Sequence, residues 1–170
     1  VNQIESKLIF FTLEINKLNQ TKLNKSFKSK YLSWINIQRQ FKKYQKNESI
    51  EKLLIDKSTT SSNAWIRLFD ETIASLKFPY KRKNLSSTEI LNLLSDTNPK
   101  IRKIAAKTLG TTLGKNVNLF SMITNTLAKD KSINDSWRKL PNPVSSRNLS
   151  NVVEDEVVES LSRSVILSYP

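Results

Sequence analysis

Gly110-Thr111-Thr112-Leu113-Gly114-Lys115-Asn116 imitates a loop that cradles phosphate on its backbone N–H groups and sets a lysine beside the terminal phosphates. Three residues separate the glycines where four are needed, and Asn116 stands where a magnesium ion requires a hydroxyl. The segment follows a helical pattern rather than a strand, so a helix C-terminus with a basic residue beside it explains it better. Ser136-Trp137-Arg138-Lys139 has the Ser-x-x-Lys spacing of a serine–lysine acylase. None of the partner motifs of such an enzyme accompanies it, and lysine-rich sequence produces the spacing by chance. Glu154-Asp155-Glu156 places three carboxylates in a row, but consecutive helical residues diverge, and a helix first turn accounts for them. Asp70 and Glu71 fail as an acid–base pair for the same reason.

The 170 residues include neither histidine nor cysteine. Histidine is the side chain whose ordinary pKa lies near neutrality, and with cysteine it supplies the nitrogen and sulfur donors that zinc prefers. Carboxylates, lysines and hydroxyls remain, and the sequence nominates no catalytic, cofactor-binding or metal-ligating residue. The chain alone is expected to be inactive and to need no cofactor. Without cysteine there are no disulfides, which is compatible with a reducing cytoplasm, the expected location. No apolar run approaches the roughly 20 residues of a membrane helix, the start Val1-Asn2-Gln3-Ile4-Glu5 lacks the pattern of a signal peptide, and no membrane partner is expected.

The formal charge is +13, from 28 basic and 15 acidic residues. From Ile15 to Asn47 there is no carboxylate, while Lys17, Lys22, Lys25, Lys28, Lys30, Arg39, Lys42, Lys43 and Lys46 fall inside that window. Phe27, Tyr31, Trp34, Phe41 and Tyr44 are interleaved with these cations, and bases stack on aromatic rings while lysines follow phosphates. A weak nucleic-acid partner is therefore an alternative. Aromatic residues at helical spacing more often belong to a core, and the richness in lysine, asparagine and isoleucine matches the codon drift of an AT-rich genome.

The elements that would position these groups are helical. Two glycines leave little material for hairpin turns, and apolar residues recur in steps of three and four nearly everywhere, which predicts an all-α, multi-helix array. A first helix is expected over residues 2–19, with Ile4, Leu8, Phe11, Ile15 and Leu18 as its buried face. Tyr31, Leu32, Trp34 and Ile35 mark a second helix, and Ile50, Leu53 and Leu54 a third, shorter one. Ser62 or Asn63 caps the next, whose buried face is Trp65, Leu68, Phe69, Thr72, Ile73 and Leu76 and which Phe78-Pro79 ends. Ser86-Ser87-Thr88-Glu89 spells a capping box with Leu85 and Ile90 as its staple, so a helix is expected from Ser87 to about Leu94. Asn98-Pro99 reads as an N-cap followed by proline at the first helical position, with Ile101, Ile104, Ala105, Thr108 and Leu109 buried and Gly114 terminating the helix. Another helix from about Asn116 buries Val117, Phe120, Ile123 and Leu127 ahead of an irregular connection around Pro141-Asn142-Pro143. The last, from about Asn151, buries Val153, Val157, Leu161 and Val165. No internal repeat or linker interrupts the pattern, so residues 1–170 read as a single helical region.

The wording of the chain, from about Arg39 onward, resembles the N-terminal region of the oligoendopeptidase F family of thimet-like zinc metallopeptidases. Carrying the likeness are Arg39-Gln40-Phe41-Lys42-Lys43-Tyr44, Ala64-Trp65-Ile66-Arg67-Leu68-Phe69-Asp70-Glu71-Thr72 and Leu91-Asn92-Leu93-Leu94-Ser95-Asp96. It continues through residues 123–131, 135–138 and 145–154, and Phe10-Phe11-Thr12-Leu13-Glu14 is similar to the family's upstream helix. The resemblance implies a helical lobe that packs over a catalytic domain and helps enclose a channel for peptide substrates. In the family, zinc is held by a His-Glu-x-x-His helix and a downstream glutamate, in a C-terminal domain that a histidine-free chain cannot contain. The chain is thus expected to be a non-catalytic fragment whose partner is that missing catalytic domain, in cis or as a separate chain. The resemblance also implies a histidine at position 148, where this sequence has Asn148.

Overall fold

The structure is a computed structural model that describes residues 2–19, 21–23 and 30–170, with side chains from residue 10 onward. The packing divides the chain into two compact units, one of Val1–Lys57 with Lys131–Pro170 and one of Ser58–Asp130. Among the described residues the array is all-α apart from one two-stranded sheet. No helix among the described residues is long and apolar enough to cross a membrane.

The first unit begins with α1 (Asn2–Lys17), two residues shorter than its periodicity predicts. Ile4 and Leu8, the N-terminal part of its expected apolar face, lie outside the described side chains. Ile15 is buried against Leu23 and Ile35, with Leu18 packed on this small core. Phe11, expected in the same face, is half exposed instead. The last carbonyls of α1 need donors, and Arg39 supplies them: its Nη1 donates to the carbonyls of Ile15 (3.1 Å) and Leu18 (2.9 Å). A cation at a helix C-terminus also meets the negative end of the dipole. Arg39 ends α2 (Leu32–Arg39), which a single 3₁₀ turn, Lys42–Tyr44, separates from α3 (Glu48–Ser58). Helix α3, expected to be the shorter, has 11 residues against the 8 of α2, and Asn47 caps its start by accepting from Ile50 N–H at 2.9 Å.

In the second unit, α4 (Ser62–Ser75) starts one residue earlier than its predicted caps, with Ser61 at the N-cap and no side-chain cap bond. Leu76 turns extended, and the chain then pairs β1 (Phe78–Tyr80) with β2 (Lys83–Leu85) in an antiparallel hairpin. This hairpin departs from the all-helical expectation. Its two-residue loop sets Lys81 at φ 53°, a conformation that turn signatures assign to glycine, so the sequence carries no warning of it. The capping box forms as spelled: Ser86 Oγ accepts from Glu89 N–H, and the Glu89 carboxylate accepts from Ser86 N–H at 2.7 Å. Helix α5 (Ser87–Asn92) then tightens into a 3₁₀ turn, Leu93–Ser95. Asn98 caps α6 (Pro99–Gly114) through Lys100 N–H at 3.0 Å, with Pro99 in the first turn as expected. Gly114 is the last helical residue, but neither glycine has a positive φ, so no left-handed cap closes the helix. Phe78, Ile90 and Ala105 form the core of this unit, joined by Leu85 and Leu109 among others. Ile104, expected to be buried, faces solvent, one position off the face centred on Ala105.

Helix α7 (Val117–Arg138) contributes to both units. Ile123 is buried, Phe120 meets Phe69 edge-on at 5.6 Å, and Val117, expected inside, is exposed. The connection through Pro141 and Pro143 holds a short helix, α8 (Ser145–Ser150), where irregular chain was expected. The last helix, α9 (Asp155–Leu167), starts four residues later than expected, because Glu154 rather than Asn151 is its N-cap. Val157, Leu161 and Val165 do not reach a core and remain exposed.

Candidate functional site

Polar contacts in the first unit centre on Glu51 and Arg138. The Asn47 cap places Glu51 in the first turn of α3, where a carboxylate favours the positive end of the helix. Arg138, the final residue of α7, meets it as a two-pronged pair: Nη1 to Oε1 at 2.7 Å and Nη2 to Oε2 at 2.8 Å. Lys46 N–H donates to the same Oε1 at 2.8 Å. Glu51 is only 5% exposed. Burial works to raise its carboxyl, but the Arg138 hydrogen bonds, the Lys46 amide and the guanidinium charge outweigh burial and hold it below the ordinary value. The contact with Glu51 in turn raises Arg138. An ionised carboxylate with both oxygens engaged is a poor proton carrier, so the pair is a latch between α3 and α7. Sequence reasoning met Arg138 within the Ser-x-x-Lys spacing and within the resemblance at residues 135–138, gave it no ion-pair role, and did not single out Glu51.

A second polar joint links α8 to α9. Asn148, at the position where a histidine was expected, is buried, and its Nδ2 donates to Asp155 Oδ1 at 2.7 Å. Asp155 is thereby occupied as a partner in the first turn of α9, and Glu154 and Glu156 flank it without converging on a reacting point. They line a cavity of about 330 Å³ together with Lys43, Tyr44 and Ser145.

The remaining motif residues stay apart from these joints. Gly110 and Gly114 are both inside α6, so the phosphate-loop spacing is regular helix, and Asn116 Nδ2 donates to the Thr112 carbonyl at 3.3 Å. Ser136 is exposed in the last turn of α7, and Lys139 leaves the helix at φ 58°. Their contact is from the Lys139 N–H to the Ser136 carbonyl at 3.1 Å, a helix-end bond rather than an activated hydroxyl. Asp70 and Glu71 are exposed on α4. Among the described residues, no group of three or more acidic side chains lies where it could hold a metal ion.

Two aromatic residues of the basic window, Tyr31 and Trp34, are exposed, while Phe41 and Tyr44 are half-buried. Ile35 and Ile15 form the floor of an apolar cleft of about 520 Å³, and Phe11, Tyr31 and Trp34 stand around it, 49%, 56% and 44% exposed. The Phe11 and Trp34 rings stack with centroids 6.3 Å apart. Phe27, Lys25 and Lys28 lie outside the described residues.

The described residues form a helical array whose polar joints tie helix to helix. Residues 14–78 match the family model described as Oligopeptidase F, in its N-terminal region. The matched segment contains two of the stretches that carried the resemblance, at residues 39–44 and 64–72. Over that segment the chain is similar to the N-terminal region of oligopeptidase F. Comparisons with curated proteins and with solved structures found no match.

Proposed function

We propose that this chain serves as the N-terminal lobe of an oligoendopeptidase F-like zinc metalloendopeptidase, enclosing the peptide channel of a catalytic domain supplied in cis or by another chain. The observation that carries this reading is the match of residues 14–78 to the N-terminal region of that family, on a chain without histidine or cysteine. A wall that admits peptides and excludes folded proteins works sterically, so it needs no titratable group. The residues present do not fit the family's zinc, and no step of its chemistry runs through them. The exposed apolar stripe of α9, with Val157, Leu161 and Val165, supplies surface on which another domain can pack. The cysteine-free composition suits the cytoplasm, where such peptide turnover belongs.

The test mixes this chain with an oligoendopeptidase F-like catalytic domain from which the N-terminal region has been removed. The chain alone should leave a quenched fluorescent peptide intact, with or without added zinc. The mixture should form a complex that cleaves the peptide and spares folded protein. Absence of a complex, or a complex with unchanged size selectivity, contradicts the lobe reading.

A second reading, a basic helical module for nucleic acid, is favoured by the exposure of Tyr31 and Trp34 beside Lys30 and the carboxylate-free window. Charge alone would give weak binding, indifferent to sequence and lost between about 50 and 200 mM salt. Sequence-selective binding at physiological salt, abolished by Trp34→Ala or by Lys42→Glu with Lys43→Glu, would put this reading first.

A further inference from the structure

The hairpin of the second unit carries four cations in seven residues, Lys77, Lys81, Arg82 and Lys83, with no carboxylate among them. Among the described residues none of the four forms an ion pair. Phe78 and Leu85 are cross-strand partners, as are Tyr80 and Lys83, so all four side chains share one face of the hairpin. The Phe78 end of that face is sealed in the core. The Tyr80 end, toward the loop, opens into a cavity of about 770 Å³ between the hairpin and the α5 segment. Leu85 and Leu93, partly buried on the core, and half-buried Tyr80 give it an apolar lining, and the exposed Lys81, Arg82 and Lys83 form its rim.

One carboxylate, Glu89, also lines the cavity, but it is already committed. Its Oε2 accepts from Ser86 N–H and from Ser86 Oγ at 2.8 Å, and these bonds hold the carboxyl below its ordinary value. Its negative charge, which Lys77 and Lys83 also favour, offsets one of the three lining cations Lys81, Arg82 and Lys83, so the cleft keeps a net positive charge. Lys81 sits over the Tyr80 ring at 5.3 Å and occupies the positive-φ position where glycine would be unstrained. A lysine there puts a third consecutive cation at the mouth at the expense of backbone comfort.

We propose that this cleft binds the C-terminal end of a short peptide, with the terminal carboxylate on Lys81, Arg82 and Lys83 and the last apolar side chain on Leu85, Leu93 and Tyr80. Charge complementarity selects an anion, and the apolar lining next to the rim selects one whose charge and apolar group belong to the same residue. That description fits a peptide ending in leucine or phenylalanine better than it fits a nucleic-acid backbone, whose charges have no apolar group between them and the solvent. This inference rests on the reading of the chain as part of a peptide-handling enzyme and assigns the lobe a share in gripping peptide.

The test is a titration of the full chain, followed by NMR amide shifts, with an N-acetylated tetrapeptide of phenylalanine and leucine. Three forms are compared: the free acid, its C-terminal amide, and an amide with one internal glutamate. The free acid should shift residues of the hairpin and α5, and the amide should not. Loss of a hydrogen bond to a charged group weakens binding about tenfold, the effect expected for Lys83→Ala and for Lys81→Gly. Lys81→Gly should leave thermal stability equal or higher, because glycine relieves the positive φ, so weakened binding cannot be attributed to unfolding. Equal binding of the amide, equal binding of the glutamate peptide, or equal competition by an oligonucleotide each overturns the proposal. Failure here leaves the catalytic-domain mixing experiment free to succeed, so the two readings fall separately.

Discussion

Glu51 and Arg138 form the contact most sensitive to single substitutions. Removing one partner leaves the other charge desolvated, and breaking such buried pairs costs about 3–5 kcal/mol. Arg138 is 26% exposed along its side chain, so Glu51→Gln or Arg138→Ala should cost less, about 2–4 kcal/mol in urea unfolding. Glu51→Leu combined with Arg138→Met should recover much of that loss, because two matched apolar groups leave nothing unpaired. The pair also dictates an acid sensitivity. The folded carboxyl of Glu51 titrates below its ordinary value of 4.5, so its contribution is complete above that value and is lost as the pH falls through the folded pKa. Unfolding free energy measured between about pH 3 and pH 7 should therefore decline on the acid side, and Glu51→Gln should flatten that decline. An unchanged acid limb in the variant would assign the effect to other carboxylates.

At the scale of elements, the second unit is held by local devices that can be removed singly. Ser86→Ala abolishes the capping box and Asn98→Ala the cap of α6, and each should cost about 1 kcal/mol. Phe78→Ala should cost about 3–5 kcal/mol, since Phe78 is fully buried between Ile90 and Ala105 and its removal leaves a cavity. Thermal unfolding of the three variants checks the order. If Phe78→Ala were as mild as the cap variants, the hairpin would not belong to this core.

For the whole molecule, the exposed apolar groups matter more than any polar site. Leu161 and Leu167 of α9 are 65% and 79% exposed, and the aromatic cleft at Phe11, Tyr31 and Trp34 adds a separate apolar surface. The isolated chain should bind a hydrophobic dye and associate at high concentration. Leu161→Gln with Leu167→Gln should reduce both while changing stability by no more than about 0.5 kcal/mol, as is usual for exposed positions. A monodisperse monomer that ignores the dye would mean these surfaces await no partner. The tag-free chain should also carry no stoichiometric zinc in metal analysis, since its sequence offers no histidine or cysteine.

Local rules were sufficient wherever one turn of chain settles its own hydrogen bonds. The Ser86 box, the Asn98-Pro99 start and the all-helical class follow from residue spacing, because caps and apolar periodicity act over three or four positions. The absence of histidine and cysteine donors for zinc is likewise a property of composition alone. Tertiary structure decided which predicted faces find a partner: Ala105 and Ile123 do, while Ile104, Val117, Val157, Leu161 and Val165 do not. Amphipathic spacing states that a face is apolar and is silent on whether anything packs against it. The latch was equally hidden, because Glu51 and Arg138 lie 87 positions apart and their types alone do not distinguish a buried pair from solvated charges. The hairpin depended on a lysine holding a positive φ, a strain that the β1–β2 pairing and the burial of Phe78 together outweigh and that no rule of local propensity anticipates.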